Sequence, residues 1–233
     1  MNLITFLASV LAVICVFAPH EFAHAYVAYK NGDGTAKMYG RLTLNPLKHI
    51  DPYGFIMCAL VGFGWAKPVP INPFNFKNYR FGLFTTAIAG ICVNYVIAFI
   101  AYPLLLLSFA IVIEYGTLVF YLISFIQYTL ELIFVYSLCS VVFNLLPLNP
   151  LDGFRIVESL TRPINPVHRF LKEYGQMILI ILIVESFVCD VVLNLGVEGL
   201  EWIAYCDILG HVMNFATSVI GWPITALWDL ILL

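Results

Sequence analysis

The chain has 233 residues, of which 62% are hydrophobic and only 11% are charged, and its formal net charge is −3. This composition excludes an intrinsically disordered chain, which needs low hydrophobicity and high charge, and it argues against a nucleic-acid partner, which requires a basic surface. A soluble fold is disfavoured because too few polar residues exist to cover a water-exposed surface. We therefore expect an integral protein of the lipid bilayer.

Five apolar stretches are each long enough to cross a bilayer as a helix, which takes about 20 residues. They are residues 3–28, 82–113, 117–147, 174–195 and 207–233. Residues 53–66 are apolar but too short for a span and predict a re-entrant segment. Residues 41–45 alternate between polar and apolar, which predicts a strand. The expected fold is an all-α polytopic membrane protein with five to six transmembrane helices and a short cytoplasmic-side β or re-entrant segment.

The basic residues predict which side of the membrane each connection occupies. All 11 Lys and Arg residues fall within residues 30–48, 67–80 and 155–172. By the positive-inside rule, these three connections face the cytoplasm. Five alternating spans then place the N-terminus outside and the C-terminus inside. The alternative is a third span within residues 82–147. That span would place the four basic residues of the connection 155–172 outside.

The first apolar stretch contains His20-Glu21-Phe22-Ala23-His24, an HExxH pattern. On a helix the two imidazoles lie one turn apart on one face, where they can bind one Zn²⁺ and leave coordination positions open. Glu21 lies beside them and can take a proton from a water molecule. Ionisable residues inside an apolar helix are costly without partners. A hydrogen-bonded polar network without a metal is the alternative.

Depth in the membrane selects a third ligand. His24 lies six residues before Lys30, or roughly 9 Å of helix from the cytoplasmic end. Asp152 lies three residues before Arg155, at similar depth, where two prolines break the third span. The alternative for Asp152 is a plain helix-ending Asp-Gly turn. Other candidates lie on the wrong side, at the wrong depth, on the last span or in a loop: Glu114, Glu131, His211, His49 and Asp51.

Five sequence motifs follow one another in a distinctive order between about residues 15 and 155. They are HEFAH (20–24), GRLTLNPLKHIDPYG (40–54), FGWAKPVPIN (63–72), AGICVN (89–94) and NLLPLNPLDG (144–153). With these blocks the chain resembles the intramembrane zinc metalloproteases of the site-2 protease family, and most closely its small prokaryotic branch without PDZ or CBS domains. The family's usual AGP is Ala89-Gly90-Ile91 here, and Asn149 replaces its usual proline before PLDG.

The resemblance implies the roles of six residues. One Zn²⁺ per chain is implied, with the ligands His20, His24 and Asp152. Glu21 is implied as the catalytic base. Asn94 and Asn144 are implied to line the active site and to position the substrate or the oxyanion. Packing between helices is the alternative role for Asn94, because Gly90 and Asn94 lie one turn apart on the same span.

The resulting prediction is a zinc-dependent endopeptidase that cleaves transmembrane segments of other proteins near the cytoplasmic side of a prokaryotic cytoplasmic membrane. Residues 1–155 would form the catalytic membrane core, and residues 156–233 a cytoplasmic loop with two further transmembrane helices. Residues 64–72, kept extended by prolines, are a candidate edge for an unwound substrate strand.

Three other functions compete with this prediction. A metal transporter would also bury His and Asp, but transporters tend to have repeated halves, and this chain has no internal repeat. A structural zinc protein or receptor would need a fourth protein ligand, for which no candidate lies at the right depth. A membrane metalloenzyme that hydrolyses a lipid amide fits the metal motif alone. The natural substrate and the oligomeric state are left open by the sequence.

Overall fold

The computed structural model describes residues 3–54, 66–111, 115–196 and 199–232, which are mostly helical. The labelled helices are α1 Leu3–Lys30, α2 Thr35–Met38, α3 Tyr79–Phe109, α4 Leu118–Leu145, α5 Asp152–Leu160, α6 Pro166–Asn194 and α7 Ile208–Leu232. Short 3₁₀ turns occupy Pro46–Lys48, Pro73–Asn75 and Glu201–Cys206. Within the described ranges no strand forms, and β pairing is limited to one isolated bridge between Ile50 and Ala66.

Helices α1, α3, α4, α6 and α7 are each long and apolar enough to cross a membrane. Their positions confirm the five predicted stretches, and the described residues of 82–147, which leave out 112–114, contain two such helices rather than three. Local capping explains where they begin. The side chains of Asn78, Thr117 and Asn165 accept hydrogen bonds from the first turns of α3, α4 and α6, which satisfies backbone donors that lack helical partners.

The predicted strand at residues 41–45 is wrong. The Arg41 guanidinium is buried and donates to the Lys67 carbonyl oxygen at 2.7 Å, and Asn45 caps the 3₁₀ turn that begins at Pro46. These contacts fix the segment locally, and within the described residues no neighbouring strand pairs with it. Most of the predicted re-entrant segment, residues 55–65, lies outside the described residues.

Helices α1, α3 and α4 form the three-helix core. Helix α1 is antiparallel to α3, with Asn31 near its end donating to Thr85 near the start of α3. Helix α4 is also antiparallel to α3, since Asn94 bonds to Ser140 and the ring of Tyr102 packs on Phe134. The buried face of α1 is rich in alanine: Ala8, Ala12, Ala23, Ala25 and Ala28. Small side chains let helices approach closely.

Helix α7 runs parallel to α3 and antiparallel to α4. Gly221 faces Leu138, whereas Asp229, farther along α7, accepts a hydrogen bond from Tyr102, which lies beside Phe134. Helix α7 therefore starts on the side of the core where α4 ends. Helix α6 packs against α5, against α7 and against the turn that precedes α7.

This direction corrects the expected location of the C-terminus. Strict alternation of five spans would place the C-terminus on the cytoplasmic side with the basic connections, but the packing of α7 places Leu232 at the opposite end of the core. The physical reason is that no Lys or Arg follows Lys172. The positive-inside rule counts basic residues and therefore leaves the direction of α7 undetermined.

A reporter experiment tests this direction. A topology reporter fused after Leu233 and one inserted at residues 162–165 should report opposite sides of the membrane. Paired alkaline phosphatase and fluorescent protein fusions at both positions measure this, with a third insertion at residues 32–34 as the reference for the basic side. If the reporters at residues 162–165 and after residue 233 were found on the same side of the membrane, this result would contradict the packing of α7.

Candidate metal centre and active site

The HExxH residues lie near the middle of the buried part of α1. His20 and His24 are each 4% exposed, and their Nε2 atoms are 2.9 Å apart. This proximity follows from helix geometry, which places residues four apart on one face. Glu21 lies on a neighbouring face and is half-buried. The side chain of the candidate base therefore leaves the helix in a different direction from the side chains of the two candidate ligands.

Asp152 joins the two histidines from the start of α5. It is 7% exposed, and its Oδ2 lies 3.0 Å from His24 Nε2 and 3.4 Å from His20 Nε2. The turn between α4 and α5 is tight, because a Cβ on Gly153 would run into the Leu145 and Leu146 carbonyl oxygens. The structure thus brings together the three residues that the sequence predicted as ligands.

The three atoms have the spacing that a zinc ion requires. In tetrahedral coordination with zinc–nitrogen distances of about 2.0–2.1 Å, ligand atoms lie about 3.3 Å apart, close to the observed separations of 2.9, 3.0 and 3.4 Å. In the described part of the chain, this trio is the group of His, Cys, Asp and Glu side chains that can hold a metal ion. Two imidazoles and one carboxylate are also a catalytic zinc set that leaves a position open.

Gly90 on α3 keeps the space beside these atoms free. A Cβ at Gly90 would lie 2.5 Å from His24 Nε2 and 2.7 Å from His20 Nε2. Any larger residue would therefore push into the ligand atoms. Gly90 is therefore required for the close approach of α3 to the two imidazoles. Because Gly90 has no side chain, α3 leaves the Nε2 atoms of His20 and His24 accessible to a metal ion.

The other ring nitrogen of each histidine also has a partner on α3. His24 Nδ1 lies 2.7 Å from the Thr86 carbonyl oxygen. A carbonyl only accepts, so Nδ1 carries the proton and Nε2 keeps a lone pair for a metal. His20 Nδ1 lies 3.1 Å from the side-chain amide of Asn94. When His20 binds a metal through Nε2, its Nδ1 carries the proton and acts as a donor. The side-chain oxygen of Asn94 must then face Nδ1 to accept this hydrogen bond.

The two predicted asparagines occupy different places. Asn94 is fully buried, and its side-chain amide also lies 2.8 Å from Ser140 Oγ, so it lies behind His20 and away from the cavity surface. Asn144 is half-buried, donates to the Ser140 carbonyl oxygen at 3.0 Å and lines the cavity next to the ligands. Only Asn144 is placed to contact a bound substrate directly.

An open cavity lies beside the three ligands. One wall is the segment 66–72, which we call the strap, and the other is the turn from α4 to α5. Glu21 faces the strap, and its Oε2 accepts a hydrogen bond from the Val69 N–H at 2.8 Å. Arg155, one turn after Asp152, brings a positive charge to the cavity wall.

Sequence reasoning missed several of these groups. Gly90 and Asn94 were recognised as a close-packed pair, but the contact of Gly90 with the imidazoles was not. The Thr86 carbonyl and the Val69 N–H are backbone groups, which leave no mark in composition. For Val69 a signal existed, since Pro68 and Pro70 lack N–H groups. Arg155 was used only as a topology marker.

Several backbone groups of the strap, which was expected to offer an edge to a substrate strand, already have partners. Pro68 and Pro70 cannot donate, and the Val69 N–H is bonded to Glu21. On the carbonyl side, Arg41 Nη2 contacts the oxygens of Lys67 at 2.7 Å and of Pro68 at 3.4 Å. Backbone groups already paired in this way are not available for strand addition, so the expected substrate edge is limited to the strap's other backbone groups and stays a prediction.

A bundle of apolar helices with an HExxH pair, a carboxylate and an adjacent glutamate defines the class of membrane-embedded metalloproteases. The family model described as "Peptidase family M50" matches residues 7–185. The chain belongs to this family, the site-2 protease family, and is a zinc metalloprotease.

Named relatives agree with this assignment. The chain is 42% identical over 196 residues to "Putative zinc metalloprotease YwhC" of Bacillus subtilis, a match that covers 82% of this chain and 88% of the relative. It is 28% identical over 175 residues to "Putative zinc metalloprotease Rip2" of Mycolicibacterium smegmatis, covering 71% of this chain and 62% of that protein. No solved structure matches the chain.

Replacing Gly90 with alanine should impair metal binding. The new methyl group would displace both imidazoles, and we expect zinc affinity to fall at least about 10-fold, as for other changes that misalign ligands. Metal analysis of the purified protein and competition with a chelator measure this. Cys92→Ala, on an exposed part of the same helix, is the control and should keep its zinc. Full zinc affinity in Gly90→Ala would contradict the packing of α3 on the histidines.

Proposed function

We propose that this metalloprotease is an intramembrane endopeptidase that cleaves transmembrane segments of other membrane proteins. One Zn²⁺ per chain would be held by His20 Nε2, His24 Nε2 and Asp152 Oδ2. The observation that carries the proposal is the convergence of these three atoms, 2.9–3.4 Å apart, inside apolar helices and beside Glu21. A protease site buried among apolar helices suits a substrate that is itself in the membrane.

Glu21 is proposed as the general base and acid. When bound, zinc polarises the scissile carbonyl and lowers the pKa of a water molecule. Glu21 accepts the water's proton on the oxygen that does not bond to Val69 and then delivers it to the leaving nitrogen. The Val69 N–H holds the other oxygen of Glu21 during this transfer.

The asparagines are proposed to act in two ways. Asn144 lines the cavity and can donate to the oxyanion that develops on the scissile carbonyl,. Asn94 is fully buried behind His20, which supports a role in fixing the orientation and tautomer of that ligand rather than direct contact with substrate.

The substrate must expose its backbone before it can be cut. A transmembrane helix uses its carbonyl groups in internal hydrogen bonds, so a cleavable segment needs local unwinding, which helix-breaking residues favour. The proposed location is a bacterial cytoplasmic membrane, with the active site near the cytoplasmic side. The basic connections and the bacterial relatives support this location. Residues 1–155 carry every proposed catalytic group, which supports their assignment as the catalytic core.

The proposal is tested by replacing the base without removing a ligand. We expect Glu21→Gln to keep its zinc and to lose about 10²–10⁴-fold in cleavage rate, the usual contribution of general acid–base catalysis. Cleavage of a model transmembrane peptide in proteoliposomes, with mass spectrometry of the two products, measures this. Glu131→Gln, on an exposed face of α4, is the matched control and should cleave normally.

Two results would contradict the proposal. Normal cleavage by Glu21→Gln would remove Glu21 as the base. Hydrolysis of a lipid amide by the wild-type protein, with no cleavage of any membrane-spanning peptide, would replace the proposed substrate class.

A further inference from the structure

The strap contains an unusual arrangement of backbone donors. Pro68 and Pro70 have no N–H, so Val69 carries the single backbone donor between Lys67 and Ile71. That donor bonds to Glu21 Oε2 at 2.8 Å. We propose that the strap is a positioning element for the catalytic base, and that it acts through the Val69 N–H. This inference rests on the proposed role of Glu21.

The N-terminal end of the strap is fixed to the preceding loop. Arg41, which is buried, donates through Nη2 to the Lys67 carbonyl oxygen at 2.7 Å. The Lys67 N–H donates to the His49 carbonyl oxygen at 2.8 Å, and Ala66 forms a bridge with Ile50. Pairing the donors of a buried charged group lowers the cost of its burial, so the hydrogen bond from Arg41 Nη2 ties this end of the strap to the loop.

The C-terminal end is fixed by Asp33, which follows α1 and is fully buried. Its Oδ2 accepts from the Asn72 N–H at 2.7 Å, and its Oδ1 accepts from the Asn75 side chain at 2.8 Å and from Thr35. Burial raises the pKa of the Asp33 carboxyl, but these hydrogen bonds outweigh it and hold that pKa below its usual range. The ionised carboxylate therefore ties the strap to the end of the helix that carries Glu21.

The centre of the strap is set by packing. The Val69 side chain is buried with Ala25 and Ala36. Ala25 lies one turn after Glu21 on α1, so the contact that places the valine side chain also places its N–H opposite the Glu21 carboxylate. Two fixed ends, two prolines and one buried side chain leave the strap little freedom.

These contacts favour positioning over a movable cover. Segments that open easily have few buried contacts and exposed hydrogen bonds, whereas both anchors of the strap are buried. One fixed carboxylate oxygen restricts the rotation of Glu21, whose side chain lines the cavity beside the ligands. Catalysis depends on such alignment, since a misplacement of 1 Å can lower a rate by about 100-fold.

The decisive variant removes the N–H and keeps the extended backbone. Because Pro68 and Pro70 already restrict their neighbours to extended conformations, Val69→Pro fits the backbone of the strap. Its ring Cδ would take the place of the N–H proton and move Glu21 Oε2 away. We expect Val69→Pro to keep its zinc and its KM within about 3-fold, while kcat falls at least about 10-fold. Val69→Ala loses side-chain packing but retains the N–H, and its kcat should be at least 10-fold above that of Val69→Pro. The assay is cleavage of a membrane-spanning peptide by the full chain in proteoliposomes, with zinc content measured on the same samples.

Other outcomes overturn the inference separately from the proposed function. A higher kcat in Val69→Pro would identify the strap as an inhibitory cover, and a higher KM with unchanged kcat would identify it as a substrate contact. An amide-to-ester replacement at Val69, which removes the N–H without adding a ring carbon and keeps the valine side chain, separates the lost hydrogen bond from this displacement of Glu21 and is the deciding variant. Unchanged kcat in that ester variant would overturn positioning by the N–H. Failure of the proposed function itself would instead show as normal cleavage by Glu21→Gln.

Discussion

Three ionisable side chains sit on one apolar helix, and the rest of the site follows from the need to satisfy them. An unpaired polar group in a low-dielectric interior costs several kcal/mol, so His20, Glu21 and His24 each require partners. The Thr86 carbonyl and the Asn94 amide serve the outer ring nitrogens, Asp152 faces the inner ones, and the Val69 N–H bonds to the glutamate. These partners come from three parts of the chain, which are α3, the start of α5 and the strap.

These partners constrain the neighbouring elements. Helix α3 must approach α1 closely enough for backbone contact with His24, which Gly90 permits. The turn after α4 must bend back so that Asp152 reaches the same point, and Gly153 allows that bend. The strap must return along α1 to reach Glu21, and its anchors at Arg41 and Asp33 hold it there. A small set of glycine, proline and buried charged residues thus turns an apolar bundle into a chemical site.

The features readable from sequence were those set by local periodicity or by charge. Apolar length identified the five long helices, the four-residue spacing of the histidines placed them on one face, and depth relative to Lys30 and Arg155 singled out Asp152. The failures have a common physical origin in tertiary contacts. Residues 41–45 alternate like a strand but are held by the side chain of Arg41, and no basic residue after Lys172 marks the direction of α7. The bond between Val69 and Glu21 joins a backbone group to a side chain 48 positions away, which no local pattern encodes.

The central claim is that His20, His24 and Asp152 bind one zinc ion. X-ray absorption at the zinc edge, combined with metal quantification on the purified chain, tests it most directly. The expected result is one zinc per chain, with two imidazole nitrogens and otherwise oxygen in its coordination shell. Sulfur in that shell, from any of the six cysteines, or full zinc content after replacement of both histidines by alanine, would contradict it.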